Sequence, residues 1–228
     1  MRRIKIKELL EEKANNQNVC VKGWVRTSRG SKNVSFITIN DGSTINNIQV
    51  VVESKLFDED LLKRVTTGSA ISVIGELCES KGSKQNVEIL ASGIKILGDS
   101  DVDSYPLQPK KHSLEFLREQ SHLRFRTNTF SSIFRIRHAL SFSVHKFFNE
   151  KGFSLIHTPV ITSADAEGAG EMFQVTTLDL DKIINSKKID YQNDFFGSKT
   201  HLTVSGQLEA ELAALGLGQV YTFGPTFR

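Results

Sequence analysis

Between residues 19 and 96 the chain holds five short runs rich in β-branched and aromatic residues, in the order three runs, one helical segment, two runs. Residues 19–25 alternate towards Trp24, residues 34–39 alternate Phe36 with Thr38, and residues 48–52 return after the turn formers Asp41, Gly42 and Ser43. Residues 57–65 place Leu61, Leu62 and Val65 at helical spacing with Gly68 behind them, and residues 71–77 and 87–96 finish the set. A short helix over residues 4–15, with Ile6, Leu9 and Leu10 on one side, leads into the first run. Three strands, a helix and two strands close most economically into a small five-stranded Greek-key barrel.

That order is the order of the OB-fold, a barrel that binds oligonucleotides on one face, although order alone does not fix function. Charge adds to it. The net charge of 29 − 26 = +3 is too small to imply a nucleic-acid partner by itself. Between Lys13 and Asp41, however, stand Lys22, Arg26, Arg29 and Lys32 and no acidic residue. Such a run on the first hairpin supplies a phosphate-binding edge, with Phe36 beside it as a stacking plate; an ordinary basic hairpin with Phe36 in the core is the alternative.

The remainder of the chain reads as a second body. Residues 98–109 are polar, contain Pro106 and Pro109 and show no periodicity, which marks a connection that Lys110 and Lys111 extend. Helical stretches over 113–126 carry Arg118, Arg124 and Arg126; a solvated helix face is the simplest role for them, and contact with RNA is the other. The clearest helix is 130–150, where Ile133, Ile136, Leu140, Val144 and Phe147 recur at helical spacing before Gly152, a strand and Pro159. Residues 163–173 are small, glycine-rich and acidic, a loop without the lysine and spacing of a phosphate loop. Residues 176–199 look like a polar insertion. At the end, Leu208, Leu212 and Leu215 predict an amphipathic helix capped by Ser205 and closed by Gly216 and Gly218, followed by a strand over 220–223. Gln207 and Glu211 lie four apart on that helix, and Arg228 is the last residue.

A chain of 228 residues at 39% hydrophobic content is long enough for two modest cores. Cys20 and Cys78 are its only cysteines, with no disulfide framework or metal spacing, and six scattered histidines show no ligand or triad pattern, so no metal site is expected. No secretion signal or membrane-spanning run is visible, and a cytoplasmic location is expected.

The string Ser205-Gly206-Gln207-Leu208, a short helix and Tyr221-Thr222-Phe223-Gly224-Pro225-Thr226-Phe227-Arg228 resembles the active-site region of class II aminoacyl-tRNA synthetases, closest to the asparaginyl members. Gly23-Trp24-Val25-Arg26, Phe36-Ile37 and Ile48-Gln49-Val50 are similar to the anticodon-binding domain shared by the aspartyl, asparaginyl and lysyl members. The resemblance implies an all-β OB-fold barrel over 1–97, a linker over 98–121, and over 122–228 the first part of an α+β class II catalytic domain built on an antiparallel sheet with helices. It implies ATP-dependent activation of L-asparagine and its transfer to tRNA(Asn), with Mg²⁺ on the phosphates and a homodimer whose interface includes the region of Pro159.

It also implies roles. Arg228 matches the arginine of the second class II signature, which holds the α-phosphate of ATP and the amino-acid carboxylate. A planar guanidinium suits that task, since it bridges two anions with paired hydrogen bonds. Glu167 matches the loop glutamate that meets the α-ammonium; Ser205, Gln207 and Glu211 line the amino-acid pocket. Glu211 accepts from a side-chain amide, and Ala210 stands where aspartyl members carry a lysine, which favours asparagine over aspartate. Phe36 is the residue that stacks on the middle anticodon base, Gln49 lies beside it, and Arg26 is a phosphate or loop contact.

The resemblance runs over nearly the whole chain, whereas the family continues past Arg228, so a chain incomplete at its C-terminus and inactive by itself is expected. Three alternatives stay open at this level: an aspartyl enzyme, a tRNA-binding barrel module without catalysis, and a synthetase-like protein that performs amide chemistry without tRNA.

Overall fold

The computed structural model describes residues 1–80, 82, 85–165, 168, 172–186 and 188–228, and of Ser186 the backbone alone. The chain divides into two compact units, Met1–Ile136 and Arg137–Arg228.

In the first unit, helix α1 (Ile6–Glu11) is followed by strands β1 (Asn18–Gly30), β2 (Val34–Asn40) and β3 (Ile48–Glu53). Helix α2 (Glu59–Lys63) then leads to β4 (Ala70–Glu79) and β5 (Val87–Gly98). The strands form a closed barrel in the order β1-β2-β3-β5-β4, with β4 returning to β1 and only the β3–β5 pair parallel. This is the expected Greek-key OB-fold, and closure leaves no unpaired sheet edge.

Alternation fills the barrel. Val19, Val21, Ile37, Ile39, Ile48, Val50, Ile71, Val73 and Ile89 point inward and are buried, and Ile6 and Leu9 of α1 join the same core. Asp41 fastens the helix to the barrel by accepting from the Ile6 amide at 3.1 Å and from Arg3 at 3.2 Å. Gly23 is required where β1 crosses β2, because a Cβ there would stand 2.5 Å from the Asn40 carbonyl oxygen.

The stretch after the barrel is polar yet packed. Leu107 joins Leu117 of α3 (Leu114–Glu119) and Phe130 of α4 (Asn128–Glu150) in a second small core, flanked by Tyr105, Phe116 and Leu123. The guanidinium of Arg124 lies over Phe125 and Phe130, 5.4 and 4.9 Å from the ring centres, and that of Arg126 lies 4.5 Å over Trp24. These two cations are engaged with aromatic faces, which neither the solvated-face nor the RNA-contact reading foresees.

The second unit is built from short pieces. Strands β7 (Ile161–Thr162), β9 (Thr200–Leu202) and β8 (Gln174–Val175) form a three-stranded antiparallel sheet. Strands β6 (Ser154–Leu155) and β10 (Val220–Tyr221) form a separate parallel pair. Helix α5 (Leu180–Ser186) lies in the polar insertion and α6 (Gln207–Leu217) near the end. Within this unit α4 packs through Ser141, Val144, His145 and Phe148; Phe148 stacks on Tyr221 at 4.5 Å and His145 Nδ1 lies 2.8 Å from the Tyr221 hydroxyl. Of the apolar stripe visible in the sequence, Ile136, Leu140 and Phe147 stay at the surface, 59%, 61% and 57% exposed.

Helix α6 likewise keeps leucines at the surface. Glu209, Ala210, Ala213 and Ala214 form its half-buried side, whereas Leu212 is 72% and Leu215 88% exposed. Small alanines let the helix approach its neighbours closely, so the packed side is the one with the least hydrophobic bulk.

Asp194 pins the insertion. It is buried and accepts from the hydroxyls of Thr176 (2.6 Å) and Thr177 (2.7 Å) and from the amides of Thr177 (2.8 Å) and Phe195 (2.8 Å). The Thr176 hydroxyl first, then the Thr177 hydroxyl and amide, hold its carboxyl well below the usual carboxylate range.

Candidate functional site

On the barrel, cross-strand register decides which side chains share the outer face. Phe36 stands opposite Arg29 on β1 and Val51 on β3; two residues along, Thr38 stands opposite Thr27 and Gln49. Because Ile37, Ile39, Ile48 and Val50 fill the interior, Phe36, Thr38 and Gln49 must point outward. Phe36 is 39% exposed, so it is an outer-face ring and not a core residue. Gln49 is held by its neighbours: its Nε2 donates to Glu88 Oε2 at 3.0 Å, and the same oxygen accepts from the Ser80 hydroxyl at 3.0 Å. Thr27 donates to Thr38 at 2.9 Å and completes a fixed polar row.

This face opens into a cavity of about 750 Å³ lined by Arg29, Thr38, Asn46, Asn47, Gln49 and Gln85, among others. The Nε2 of Gln85 is buried and has no hydrogen-bond partner among the described residues. A fixed amide, two asparagines, an orphaned amide donor and an exposed ring offer stacking with hydrogen bonds in both senses, the chemistry by which single-stranded bases are read. Arg29 belongs to this face; the sequence marks it only as one of the basic run Lys22, Arg26, Arg29 and Lys32, and Phe36, Gln49 and Arg26 alone are singled out by the resemblance. Counting the β1–β2 register from the turn is the signal that finds it.

Arg26 lies elsewhere. The register of β1 shifts between Val25 and Thr27, so Arg26 occupies the irregularity and leaves the row of Arg29 and Thr27. Its Nη2 reaches Asn128 Oδ1 at 3.4 Å, and burial pulls its pKa down. Trp24 is half-buried in the barrel wall, paired with Asn40 and Ala70.

In the second unit, three segments meet at the start of α6. The Thr203 amide donates to the Val160 carbonyl at 2.8 Å, and the Phe227 amide donates to the Thr203 carbonyl at 2.9 Å. Gly206 has no room for a side chain, since a Cβ there would stand 2.6 Å from Thr158 Oγ1. Arg228 is therefore one residue from a backbone bond to the segment that leads into Ser205 and Gln207. Ser205 does not act as the N-cap residue itself. Gly206 takes that position, and the Ser205 hydroxyl accepts from the Gln207 amide at 3.1 Å.

Gln207 Nε2 donates to Glu211 Oε1 at 2.7 Å, which leaves the other Glu211 oxygen and the Gln207 carbonyl oxygen as acceptors on one exposed helix face. Pro159 is exposed beside this meeting point, between Thr158 and Val160. Glu167 lies outside the described residues. Among the described residues no three His, Cys, Asp or Glu side chains converge as metal ligands, and no helix is long and apolar enough to cross a membrane.

Comparison with known proteins accounts for both units. Residues 19–97 match the OB-fold nucleic acid binding domain, and residues 113–228 match the tRNA synthetases class II (D, K and N). The chain is 58% identical over 232 residues to an asparagine–tRNA ligase of Cytophaga hutchinsonii, covering all of this chain and 50% of that protein. It is 59% identical over 229 residues to an asparagine–tRNA ligase of Phocaeicola vulgatus, covering 99% of this chain and 49% of that protein. The fold is that of the asparaginyl-tRNA synthetase from Pyrococcus horikoshii crystallised with asparaginyl-adenylate, at a TM-score of 0.80 and 21% identity over all of this chain and 48% of that one. The chain thus spans about half the length of the relatives it matches. The match over 113–228, with an OB-fold ahead of it, makes this chain a member of the class II tRNA synthetases of the D, K and N group.

Proposed function

We propose that the protein acts as an asparagine–tRNA ligase, activating L-asparagine with ATP and transferring it to tRNA(Asn). The observation that carries this reading is the 58% identity to an asparagine–tRNA ligase over an alignment that spans the whole chain. In domain terms, residues 1–97 read the anticodon, 98–121 connect, and 122–228 contribute to the amino-acid and ATP site.

The chemistry consists of positioning and charge stabilisation, with no protein nucleophile. The Arg228 guanidinium bridges the α-phosphate and the attacking carboxylate, which lets two anions meet. Glu211, oriented by Gln207, accepts from the asparagine side-chain amide, and Ser205 and Gln207 line the pocket. Glu167 meets the α-ammonium. Attack of the carboxylate on the α-phosphate expels pyrophosphate; the terminal ribose hydroxyl of the tRNA then attacks the adenylate's carbonyl carbon and AMP leaves. Mg²⁺ enters with ATP and neutralises its phosphates; the described residues offer no converging ligand set for it, so no step rests on side chains of this chain holding the ion.

On the barrel, Phe36 stacks on an anticodon base, and Gln49, fixed by Glu88, reads an edge. A cytoplasmic homodimer is part of this reading, with the apolar stripe of α4 and the region of Pro159 at the interface. Ala210 is what separates this reading from the aspartyl one, because no cation stands there to meet a substrate carboxylate. The test is charging of tRNA by the protein expressed from its own gene, with asparagine and aspartate offered separately. Charging with asparagine is expected; charging with aspartate alone overturns the assignment.

A further inference from the structure

A second cavity of the first unit, of about 520 Å³, lies between the β1 irregularity and the stretch that follows the barrel. Arg26, Lys110, Lys111 and His112 line it, together with the amides of Gln108 and Asn128, and no carboxylate among the described residues does. Lys110 and Lys111 are exposed, so their ammonium groups cost little to hold there. Arg26 is half-buried, and its hydrogen bond to Asn128 is long. Three cations that line one cavity with no carboxylate in its described lining repel one another, and an anion held there relieves that repulsion.

Asn128 settles what kind of anion. It lines this cleft and also the cavity beside Gln49 and Thr38, so the two are neighbours that share one wall. A strand lying on the Gln49 and Thr38 face lies in the cavity that this wall bounds. We propose that the cleft of Arg26, Lys110 and Lys111 holds backbone phosphate of the same RNA strand whose bases lie on the Phe36 and Gln49 face. The residues 110–111 are then part of the RNA-binding surface and not only a connection. This inference rests on the RNA-binding reading of the barrel given above, and it deepens that reading.

Neutralising phosphates releases counterions and carries no sequence information, whereas stacking does not depend on salt in this way. The 228-residue chain is titrated with an RNA hairpin bearing the asparagine anticodon across a salt series, alongside the Lys110→Ala/Lys111→Ala double variant and Phe36→Ala. The double variant is expected to bind more weakly at low salt. Its slope of log affinity against log salt is expected to be shallower by roughly 0.7 for each phosphate that the protein no longer neutralises. The weakening is expected to be equal for hairpins with an altered anticodon. Phe36→Ala is expected to lose affinity with its slope unchanged. Since both lysines are exposed, unaltered thermal unfolding of the double variant is the control for folding.

Wild-type affinity and slope in the double variant, together with weakened binding by Phe36→Ala, overturns the cleft and leaves the base-reading face standing. Binding that neither change affects removes the underlying reading and the cleft with it. A third arm titrates inorganic phosphate and adenosine monophosphate. Saturable binding of either that the double variant abolishes, with RNA binding intact, shows the cleft to serve a small phosphate compound and overturns the proposal.

Discussion

Asp194 owes its ionisation to its neighbours. Four donors surround one carboxylate, and their effect is a carboxyl that resists protonation in the folded chain. Because the folded pKa is depressed, the stability it contributes is present above the unfolded pKa of about 4 and drains away as pH falls below it. Asp194→Asn is therefore expected to unfold more readily than wild type at neutral pH, with the difference shrinking as pH drops towards 3. Chemical denaturation of both forms over that range is the measurement. On the proposed function, the geometry of the charge at Arg228 matters as much as its sign. Arg228→Lys keeps the cation and loses the fork, and a fall of roughly a hundredfold in asparagine-dependent pyrophosphate exchange is expected of the protein expressed from its gene. Ser205, Gln207, Glu211 and Arg228 are legible in the sequence through the string that resembles the class II active-site region. The Gln207 to Glu211 bond and the displacement of the cap to Gly206 are not, since both depend on how closely Thr158 approaches.

At the scale of elements, strands are more legible than helical faces. Each barrel strand is visible because period-two alternation against a closed interior leaves little freedom: slipping by one residue would turn Ile37 and Ile39 to solvent. Ile37→Ala is expected to cost about 2–5 kcal/mol by opening a cavity in that interior, measurable as a lower denaturation midpoint with little change in slope. For α4 and α6 the periodicity locates the helices but does not say which side packs within the chain. The leucines of α6 and the Ile136–Leu140–Phe147 stripe of α4 are exposed, while Ala213, Ala214 and Phe148 do the packing. Hydrophobic periodicity shows that a helix has an apolar side, and only the neighbours decide which side they cover.

For the whole molecule, the two candidate sites fall in different compact units, Phe36 and Gln49 in the first and Ser205 to Arg228 in the second. Phe36→Ala is accordingly expected to weaken tRNA binding about tenfold, in line with the ~1–3 kcal/mol of a stacked base, and to leave asparagine-dependent pyrophosphate exchange unchanged. Equilibrium RNA binding and exchange assays on the same preparation check both halves of that expectation. The order of amino acids is enough for the barrel, for the succession of its strands and for the family to which the chain belongs. These follow from local alternation and from residue strings that remain adjacent however the chain folds. Three-dimensional packing was needed to shift the β1 register at Arg26 and so take it out of the row of Arg29 and Phe36, and to bring Lys110 and Lys111 to a cleft with Arg26. It was needed also to bond Phe227 to Thr203. Each of these joins residues distant in sequence through a register shift or a close backbone approach, and no property of either partner alone records that distance.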